Sequence, residues 1–351
     1  MSNIFSRSPY IIEVNEVGQT SSRIKIFLWN GTGSAPASPQ KTLSKAIPAS
    51  DNLQTVYDIS PYIREYILFN VQSLNYNSIN QSANNYAWCN VIVKRYKDTG
   101  TLLDTTQYKA FDGYGYYLDG TNFDRGDYLL DEGTYYYHYD SGSTYDVIRA
   151  GQITLNQTIN YKMKYTNLVT LVEVVYTASS TKTADWFRVT LANWAVGNKL
   201  EITTDADAVL KTYYFKPIEE CKYSPLPIDF INKYGAWQRE FFFKAQNVNI
   251  EIKNSEYNLL QTSLTNYSLI QGQRHSFNSN GQESIRLNSG WISEGFKGTI
   301  QEILLSEKVM VDGYPVIVNT KAVEKFNNIN TKNIHYQLDF KYAYDIINSI
   351  I

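Results

Sequence analysis

Acidic residues concentrate in one tyrosine-rich stretch, residues 112–140, which we call the acidic segment. Its carboxylates belong to Asp112, Asp119, Asp124, Asp127, Asp131, Glu132 and Asp140. Such groups are oxygen ligands for Ca²⁺, and a suitably spaced pair can cleave a glycosidic bond beside aromatic rings that stack on sugars. The residues with candidate contacts to a glycan or an ion are Asp119, Asp124, Asp127 and Asp131.

Three interpretations of the acidic segment stay open. The regular D-x-D-x-D-G spacing of a calcium loop is missing, and one sequence does not give the separation of two carboxylates. The segment is therefore a solvated loop or protein-contact surface, an ion site, or a glycan-binding or glycan-cleaving site. We favour the first, because loops commonly carry contact surfaces.

Other catalytic patterns are missing from the sequence. His138, His275 and His335 lie in unrelated contexts, and no HExxH, CxxC or GxSxG spacing occurs. The glycines of "DGYGYYLDG" do not have the spacing of a dinucleotide or phosphate loop, and no lysine accompanies them. We expect no catalytic residue, no cofactor and no metal site built on histidine.

The charge balance bears on the class of partner. The chain has 32 Lys and Arg against 34 Asp and Glu among 351 residues, so it carries no broad basic field for phosphates. Sequence-specific binding of nucleic acid is therefore not expected. The 30 tyrosines favour contact with other molecules instead, because tyrosine gives a large contact area and a hydroxyl group.

Targeting signals and cysteines indicate where the chain folds. We expect no secretory signal, because the N-terminal residues "MSNIFSRSPYIIEV" contain no apolar run after a basic patch. No stretch approaches the about 18 apolar residues of a membrane helix. Synthesis in a cytoplasm follows from these two features. Cys89 and Cys221 lie far apart, and we expect both to be buried free thiols.

Period-two alternation dominates the sequence and predicts β-strands. In "RIKIFLW" it places Ile24, Ile26 and Leu28 on one face, with Phe27 and Trp29 on the other. "HYQLDFKYAY" has the same pattern. Further predicted strands cover 87–94, 161–176 with a break in the middle, 186–191, 210–215 and 248–252. Asp312-Gly313 predicts a tight hairpin.

Helical patterns are few. One is "DISPYIREYILFNV", in which Ser60 can cap and Pro61 suits the first helical position. A second short helix is predicted in "PIDFINKYG", ended by Gly235. The whole pattern predicts an all-β chain of two or three β-sandwich domains, Ig-like or related, with a few short connecting helices.

Changes in composition predict the domain boundaries. The N-terminal β domain covers 1–145 and carries a Tyr/Asp-rich insertion around 112–145. A middle β domain covers 146–270, and a C-terminal β region covers 271–351. The two boundaries fall in the Gly-, Asp- and Tyr-rich stretch near 145 and in the polar stretch "TNYSLIQGQRHSFNSNGQES" near 270.

The stretch "YGAWQREFFFKAQ" is the most aromatic strip outside the acidic segment. Alternation assigns Trp237, Arg239, Phe241 and Phe243 to the core face, with the charge of Arg239 reaching an edge. Phe242 then lies among polar neighbours on the outer face. The candidate interface aromatics are Phe242, Phe27, Trp29, Tyr135, Tyr136 and Tyr137. A turn or bulge is predicted near Gln246-Asn247, where the apolar phase shifts.

Several stretches resemble a family of virion structural proteins of tailed bacteriophages that infect Bacteroidota, the crAss-like phages included. They are "SPYIIEV", "IKIFLWNGTG", "PQKTLSKAIP", "DISPYIREYI", "NKYGAWQREFFFKA", "LNSGWISEGFKGTIQEILLSEKVMV", "YPVIVNTKAVEKFNN" and "IHYQLDFKYAYDIIN". The matching stretches are spread over almost the whole chain.

This resemblance implies a non-enzymatic, all-β protein of the short tail or neck of a virion, made in the cytoplasm of the host bacterium. It implies a ring or collar of identical copies that surrounds the DNA path and docks the portal or other tail proteins. Ring contacts are head-to-tail and favour aromatic anchors.

Two alternatives to this virion role remain. One is a carbohydrate- or receptor-binding tail protein that uses the acidic segment. The other is a β-rich hydrolase that uses two of its carboxylates.

Overall fold

The computed structural model describes most of the chain. The described residues are 3–30, 33–47, 53–69, 88–98, 100–126, 128–139, 152–153, 161–178, 185–186, 189–219, 224–260, 263, 265–266, 269–270, 272–290, 296–323 and 335–348. Cys221, Asp127 and Asp140 fall outside these ranges.

Strands make up most of the described secondary structure, which confirms the predicted all-β fold. The strands before residue 220 are β1 (Asn3–Phe5), β2 (Ile11–Val14), β3 (Ser21–Trp29), β4 (Lys41–Ala46), β5 (Thr55–Asp58), β6 (Trp88–Lys97), β7 (Thr101–Phe111), β8 (Tyr128–Leu129), β9 (Gly133–His138), β10 (Gln152–Ile153), β11 (Tyr161–Asn167), β12 (Glu173–Ala178), β13 (Asp185–Trp186), β14 (Asn198–Thr204) and β15 (Val209–Ile218). The later strands are β16 (Leu226–Ile231), β17 (Trp237–Phe242), β18 (Lys244–Asn258), β19 (Arg274–Asn288), β20 (Val309–Val311), β21 (Tyr314–Val318) and β22 (Gln337–Tyr342). The α-helices are α1 (Ser60–Phe69) and α2 (Lys297–Leu305), and 3₁₀ turns cover Tyr117–Asp119 and Leu191–Asn193.

The chain divides into two compact units. The first comprises Met1–Glu220 and Asp229–Phe241, and the second comprises Cys221–Ile228 and Phe242–Ile351. The predicted three-part division differs from this one. Its boundary near residue 145 separates β9 from β15, and its boundary near residue 270 separates β18 from β19, yet the strands of each pair are hydrogen-bonded partners.

The N-terminal part of the first unit is a five-stranded sheet in the order β1-β7-β6-β3-β4, accompanied by the β2–β5 ribbon. Ile24, Ile26 and Leu28 of β3 are buried, as their alternation predicts. They share one hydrophobic core with side chains of the ribbon and of α1, including Val14, Tyr57 and Ile63. One face of the sheet is therefore covered by the ribbon and the helix.

Helix α1 begins at Ser60, one residue before the predicted first helical position at Pro61, and Asp58 binds its first turn in place of the predicted cap Ser60. The carboxylate of Asp58 accepts hydrogen bonds from the backbone N–H of Ser60 (3.0 Å) and from its hydroxyl (2.6 Å), and Pro61 follows in the first turn. Because an N-terminal N–H has no partner within its own helix, the Asp58 carboxylate satisfies a group that would otherwise lack one. Ile63 and Ile67 on the inner stripe are buried.

A second five-stranded sheet of the first unit has the order β12-β11-β14-β15-β9, with β9 parallel to β15. Its inner side chains include Tyr161, Met163, Tyr165, Leu200, Ile202, Tyr213 and Phe215, all buried. A small sheet of β13, β10 and β8 also belongs to this unit. The predicted break within 161–176 is confirmed, because β11 and β12 form an antiparallel hairpin.

In the second unit the strand order runs β20-β21-β22-β19-β18. Strands β20 and β21 are joined at Asp312 and Gly313, whose φ angles are 50° and 80°. Two successive residues with positive φ suit a two-residue hairpin, so the predicted Asp-Gly turn is confirmed. Ile285, Leu287, Leu338 and Phe340 form part of the buried core.

Local structure departs from the sequence-based expectations in three places. The predicted helix in "PIDFINKYG" is wrong, because Leu226–Ile231 is strand β16 and a turn follows at Asn232–Gly235. Of the predicted strand 186–191, Trp186 belongs to β13 and Leu191 begins a 3₁₀ turn, whereas residues 187 and 188 lie outside the described part. Helix α2 was not predicted; its N-cap, Phe296, makes no side-chain capping bond.

Neither helix of the described part is long and apolar enough to cross a membrane.

Candidate functional site

Asp119, in the acidic segment, is held by neighbours within the same segment. Its Oδ2 accepts a hydrogen bond from the backbone N–H of Tyr116 (2.8 Å) and pairs with the guanidinium of Arg125. Arg125 also lies over the rings of Tyr116, Phe123 and Tyr234, at 5.6, 5.3 and 5.9 Å from their centroids. The segment therefore supplies its own cation to its aromatic residues.

The other candidate carboxylates have different partners. Asp124 Oδ1 accepts from the backbone N–H of Gly126 (2.8 Å) and closes a local turn. Asp131 accepts from the Tyr234 hydroxyl (2.5 Å) and pairs with Lys233. Asp127 lies outside the described residues. In the described part of the chain, no group of three or more His, Cys, Asp or Glu side chains is arranged to hold a metal ion.

The acidic segment is held to the rest of the first unit by side-chain and backbone hydrogen bonds. Asn122 Oδ1 accepts from the N–H of Ile11 (2.6 Å), and Asn122 Nδ2 donates to the Ile11 carbonyl oxygen (2.7 Å). Tyr114 N–H donates to the carbonyl oxygen of Lys233 (2.8 Å). The segment is therefore docked along its first half by specific hydrogen bonds.

Two glycines allow this docking. A Cβ at Gly113 would lie 2.6 Å from the Lys233 carbonyl oxygen, and a Cβ at Gly235 would lie 2.5 Å from the Gly113 nitrogen. Gly235 also has a φ of +78°, which side chains other than glycine adopt at a cost. The two backbones can therefore touch only because neither residue has a side chain.

Tyr135, Tyr136 and Tyr137, on β9, differ in exposure. Tyr137 is buried, stacks on Trp194 with ring centroids 4.9 Å apart, and donates its hydroxyl to the Trp194 carbonyl oxygen (2.5 Å). Burial raises the pKa of Tyr137. Tyr135 is half-buried against Phe215, and Tyr136 is half-buried. The expectation that Tyr137 offers its ring to another subunit is wrong, because the ring is core.

The aromatic residues of β3 show a similar division. Phe27 is 7% exposed, and the ammonium of Lys94 on the paired strand β6 lies 5.0 Å from its ring centroid. The prediction of Phe27 as an interface residue is therefore wrong, because neighbouring side chains cover the ring on its own sheet. Trp29 is half-buried and donates its indole N–H to the Gly33 carbonyl oxygen (2.9 Å).

Phe242 does not lie on an outer face. It is 3% exposed, and Phe241 and Phe243 on either side are also buried. From Gln238 to Phe242 every residue of β17 is buried, so both faces of this strand are covered. The prediction of Phe242 as a contact for another subunit is wrong, because alternation in a sequence identifies two faces but not whether the second is covered as well.

Arg239 also differs from expectation, since its charge does not reach an edge. Its Nε and Nη2 bind the two carboxylate oxygens of Asp229, each at 2.8 Å, and both side chains are buried. Beside this pair, Asn232 and Gln238 form a buried hydrogen bond of 3.1 Å, and Gln238 donates to Glu240 (2.8 Å). This network stabilises the interior, because each buried polar group has a partner.

The apolar surface that the sequence did not identify lies on two edge strands. On β18 the exposed fractions of Val248, Ile250 and Ile252 are 56, 53 and 70%. On β12, Val174 and Tyr176 are 43 and 48% exposed, and they pair with the buried Tyr165 and Met163 of β11. In each unit, the buried face of a sheet thus continues onto an exposed edge strand. Alternation alone does not distinguish these positions from core, because it does not show whether a second layer covers the face.

Two glutamates on the surface have displaced pKa values. The backbone N–H of Thr212 and the ammonium of Lys211 hold the pKa of Glu132 below its ordinary value. On β18 the hydrogen bond from Lys341, 3.0 Å away, lowers the pKa of Glu251. Both glutamates are thus ionised and paired at neutral pH, as expected of surface ion pairs and unlike a carboxyl group kept protonated as a catalytic acid.

Of the histidines, His275 donates from Nε2 to the Gly272 carbonyl oxygen (2.9 Å) and stacks on Tyr257, with ring centroids 5.6 Å apart. Cys89 is a buried free thiol, as expected, and burial raises its pKa.

Comparison with known proteins finds no matching family model and no matching curated sequence.

Proposed function

We propose that this protein is a non-enzymatic structural component of a bacteriophage virion that acts by assembling with copies of itself and with other tail proteins. The observation that carries the proposal is the continuation of buried sheet faces onto exposed edge strands, β12 in the first unit and β18 in the second. Contiguous exposed apolar surface of this kind is typical of protein–protein contact sites.

The state of the acidic segment supports an assembly role over a catalytic one. Its described candidate carboxylates, Asp119, Asp124 and Asp131, are each engaged by local N–H, hydroxyl or cationic groups. Such bonds fix the conformation of a loop, and they occupy both oxygens of Asp131 and one oxygen each of Asp119 and Asp124. The alternative, a carbohydrate- or receptor-binding tail protein that uses this segment, therefore has less support.

The tail or neck position, the ring or collar, and docking to the portal or other tail proteins come from the sequence resemblance. Two of the stretches that carry the resemblance are "DISPYIREYI", which contains the start of α1, and "IHYQLDFKYAYDIIN", which contains β22. Both stretches contribute core side chains, such as Ile63 and Phe340, so they constrain the fold of any protein that shares them.

The experiment is quantitative mass spectrometry of purified virions of the phage that encodes the chain. We expect the protein to be present at a fixed ratio to the capsid protein after a high-salt wash. Detection in infected cells together with absence from purified particles would overturn the proposal.

A pair of variants tests whether β12 is an assembly surface. Val174→Lys on β12 places a charge on the exposed apolar face, and Val17→Lys, at a site 89% exposed outside a strand, is the matched control. Supplied in trans to a phage that lacks the gene, Val17→Lys is expected to restore infectious particles and Val174→Lys to restore at least tenfold fewer. Equal rescue by both variants, with both folded, would count against β12 as an assembly surface.

A further inference from the structure

Strand β18 is the last strand in its sheet order, and it pairs on one side only, with β19, among the strands that the structure describes. Its register with β19 is regular from Gln246 to Lys253 and is interrupted on either side, at Ala245 and Asn254. This regular stretch, Gln246–Lys253, is called the β18 edge below. An edge strand offers a row of backbone N–H and C=O groups to a further strand.

The two faces of the β18 edge differ in chemistry. Val248, Ile250 and Ile252 lie on one face, and Asn247, Asn249, Glu251 and Lys253 lie on the other. Val248 lies opposite Ile285, which is 3% exposed, so the apolar face continues the sheet's buried face at Val248, whereas Ile250 and Ile252 lie opposite Glu283 and Gly281. A further strand placed here would need apolar side chains on one face and uncharged polar or oppositely charged ones on the other.

We propose that the β18 edge pairs antiparallel with the β18 edge of a second copy, around a two-fold axis that passes through Ile250. In this register Ile250 lies opposite Ile250 of the second copy, and Val248 lies opposite Ile252 in both directions. The three apolar side chains of each copy then form three cross-strand pairs, and the side-chain faces match because opposite residues of an antiparallel pair point to the same face.

The polar face favours the same register. Glu251 lies opposite Asn249 of the second copy and Lys253 lies opposite Asn247, so no two like charges are directly opposed. Glu251 is in addition paired within its own copy with Lys341 at 3.0 Å. A shift of the axis by one residue to Glu251 would place the two glutamates opposite each other and leave Val248 opposite Asn254, where the strand is irregular.

The contact between two β18 edges buries little surface and joins two copies only. One pair of short strands buries less than the about 800 Å² per partner of a typical stable complex, so we expect half-association at about 10–100 µM. An isologous contact uses the same patch on both copies and ends at two. The two-fold contact between β18 edges therefore differs from a head-to-tail ring contact. The proposal of this contact does not depend on whether the protein belongs to a virion.

Cysteine cross-linking tests the register. In a Cys221→Ser background, with Cys89 buried and its pKa raised, new surface cysteines are the reactive thiols. Directly opposite residues have Cβ atoms about 4.5–5.5 Å apart, close enough for a disulfide after a small adjustment. Val248 and its own copy would be about 13 Å apart along the strand, at about 3.3 Å per residue.

Under mild oxidation at 100 µM we expect Ile250→Cys to form mostly covalent dimer. Val248→Cys alone and Ile252→Cys alone are expected to stay monomeric, and a mixture of the two is expected to form the mixed dimer. Ile317→Cys, at a site 59% exposed on the interior strand β21, is the control for random collision. Cross-linking of Ile250→Cys no faster than that of Ile317→Cys would overturn the proposal, as would equal dimerisation of all variants.

Sedimentation of the untagged chain is the second measurement. We expect a concentration-dependent monomer–dimer equilibrium that Ile250→Lys weakens at least tenfold and that Ile317→Lys leaves unchanged. A chain that remains monomeric at 200 µM would overturn the β18 contact without bearing on its presence in virions. Absence from virions with the dimer intact would overturn the proposed function alone.

Discussion

Strands β17 and β18 follow one another in the chain, and both contain alternating residue types, yet they differ completely in burial. From Gln238 to Phe242 every side chain of β17 is buried, whereas Val248, Ile250 and Ile252 of β18 are more than half exposed. Hydrophobic side chains on a strand become core only if another layer covers them. Coverage of each face by other parts of the chain therefore decides between core and exposed surface, because both strands are terminal in their sheet order.

The largest effect is expected at Phe242. Phe242→Ser removes a buried ring and leaves a hydroxyl group in its place, so the free energy of unfolding should fall by about 4–5 kcal/mol. Urea unfolding of the purified variant measures this loss. Phe241→Ser, at a neighbouring position that is 8% exposed, is measured for comparison. A loss below 1 kcal/mol for Phe242→Ser would mean that one face of β17 is open, which would remove the contrast with β18.

The next effect concerns the ion pair on the same strand. Arg239→Ala leaves the buried carboxylate of Asp229 without its bidentate partner, and we expect a loss of about 3–4 kcal/mol. Arg286→Ala is the matched control, because its pair with Asp339 is largely exposed and screened by solvent, so its loss should change stability little. Equal losses for the two variants in urea unfolding would contradict the burial of the Arg239 pair.

A much smaller effect is expected on β18. Ile250→Ser should change the unfolding free energy of the monomer by less than about 0.5 kcal/mol, because the side chain is 53% exposed. The measurement is made at 1 µM, well below the expected range of self-association. A loss comparable to that of Phe242→Ser would show that Ile250 is covered within one chain and would exclude the β18 edge as a contact surface.

The smallest effect concerns pH. Lys341 holds the pKa of Glu251 below its ordinary value of 4.5, so the ion pair contributes stability above that pH and loses it as pH falls through the folded-state pKa. We expect the difference in stability between the native chain and Glu251→Gln to be constant from pH 7 to 5 and to shrink toward pH 3. A difference that grows on acidification would contradict the sign of this shift.

The sequence predicted those features that depend on local chemistry. Ile24, Ile26 and Leu28 of β3 have the predicted face, Asp312-Gly313 forms the predicted turn, and helix α1 begins one residue before the predicted position. The interruption at Ala245 lies within two residues of the predicted bulge. Each of these features follows from side-chain alternation, backbone φ preference or capping within a few residues.

The remaining features depend on contacts between distant residues. Leu226–Ile231 has a helix-like pattern, but it is a strand in which Asp229 pairs with Arg239 and residues 228–231 are buried. The sequence places Phe27 on the more polar face of its strand and includes Tyr137 among the interface aromatics, yet both are buried. Lys94 and Trp194, which cover them, come from other elements. The partners of Asp119 and Asp131 likewise depend on side-chain placement that spacing does not encode.

The contact between Gly113 and Gly235 has a consequence for local opening of the first unit. The Tyr114 amide hydrogen donates to the Lys233 carbonyl oxygen at a point where the two backbones touch, so solvent reaches it only when that contact opens. Its hydrogen–deuterium exchange should therefore be slow, although it lies in an irregular stretch of chain. Gly113→Ala should bring its exchange close to that of an exposed loop while the amides of β6 stay protected.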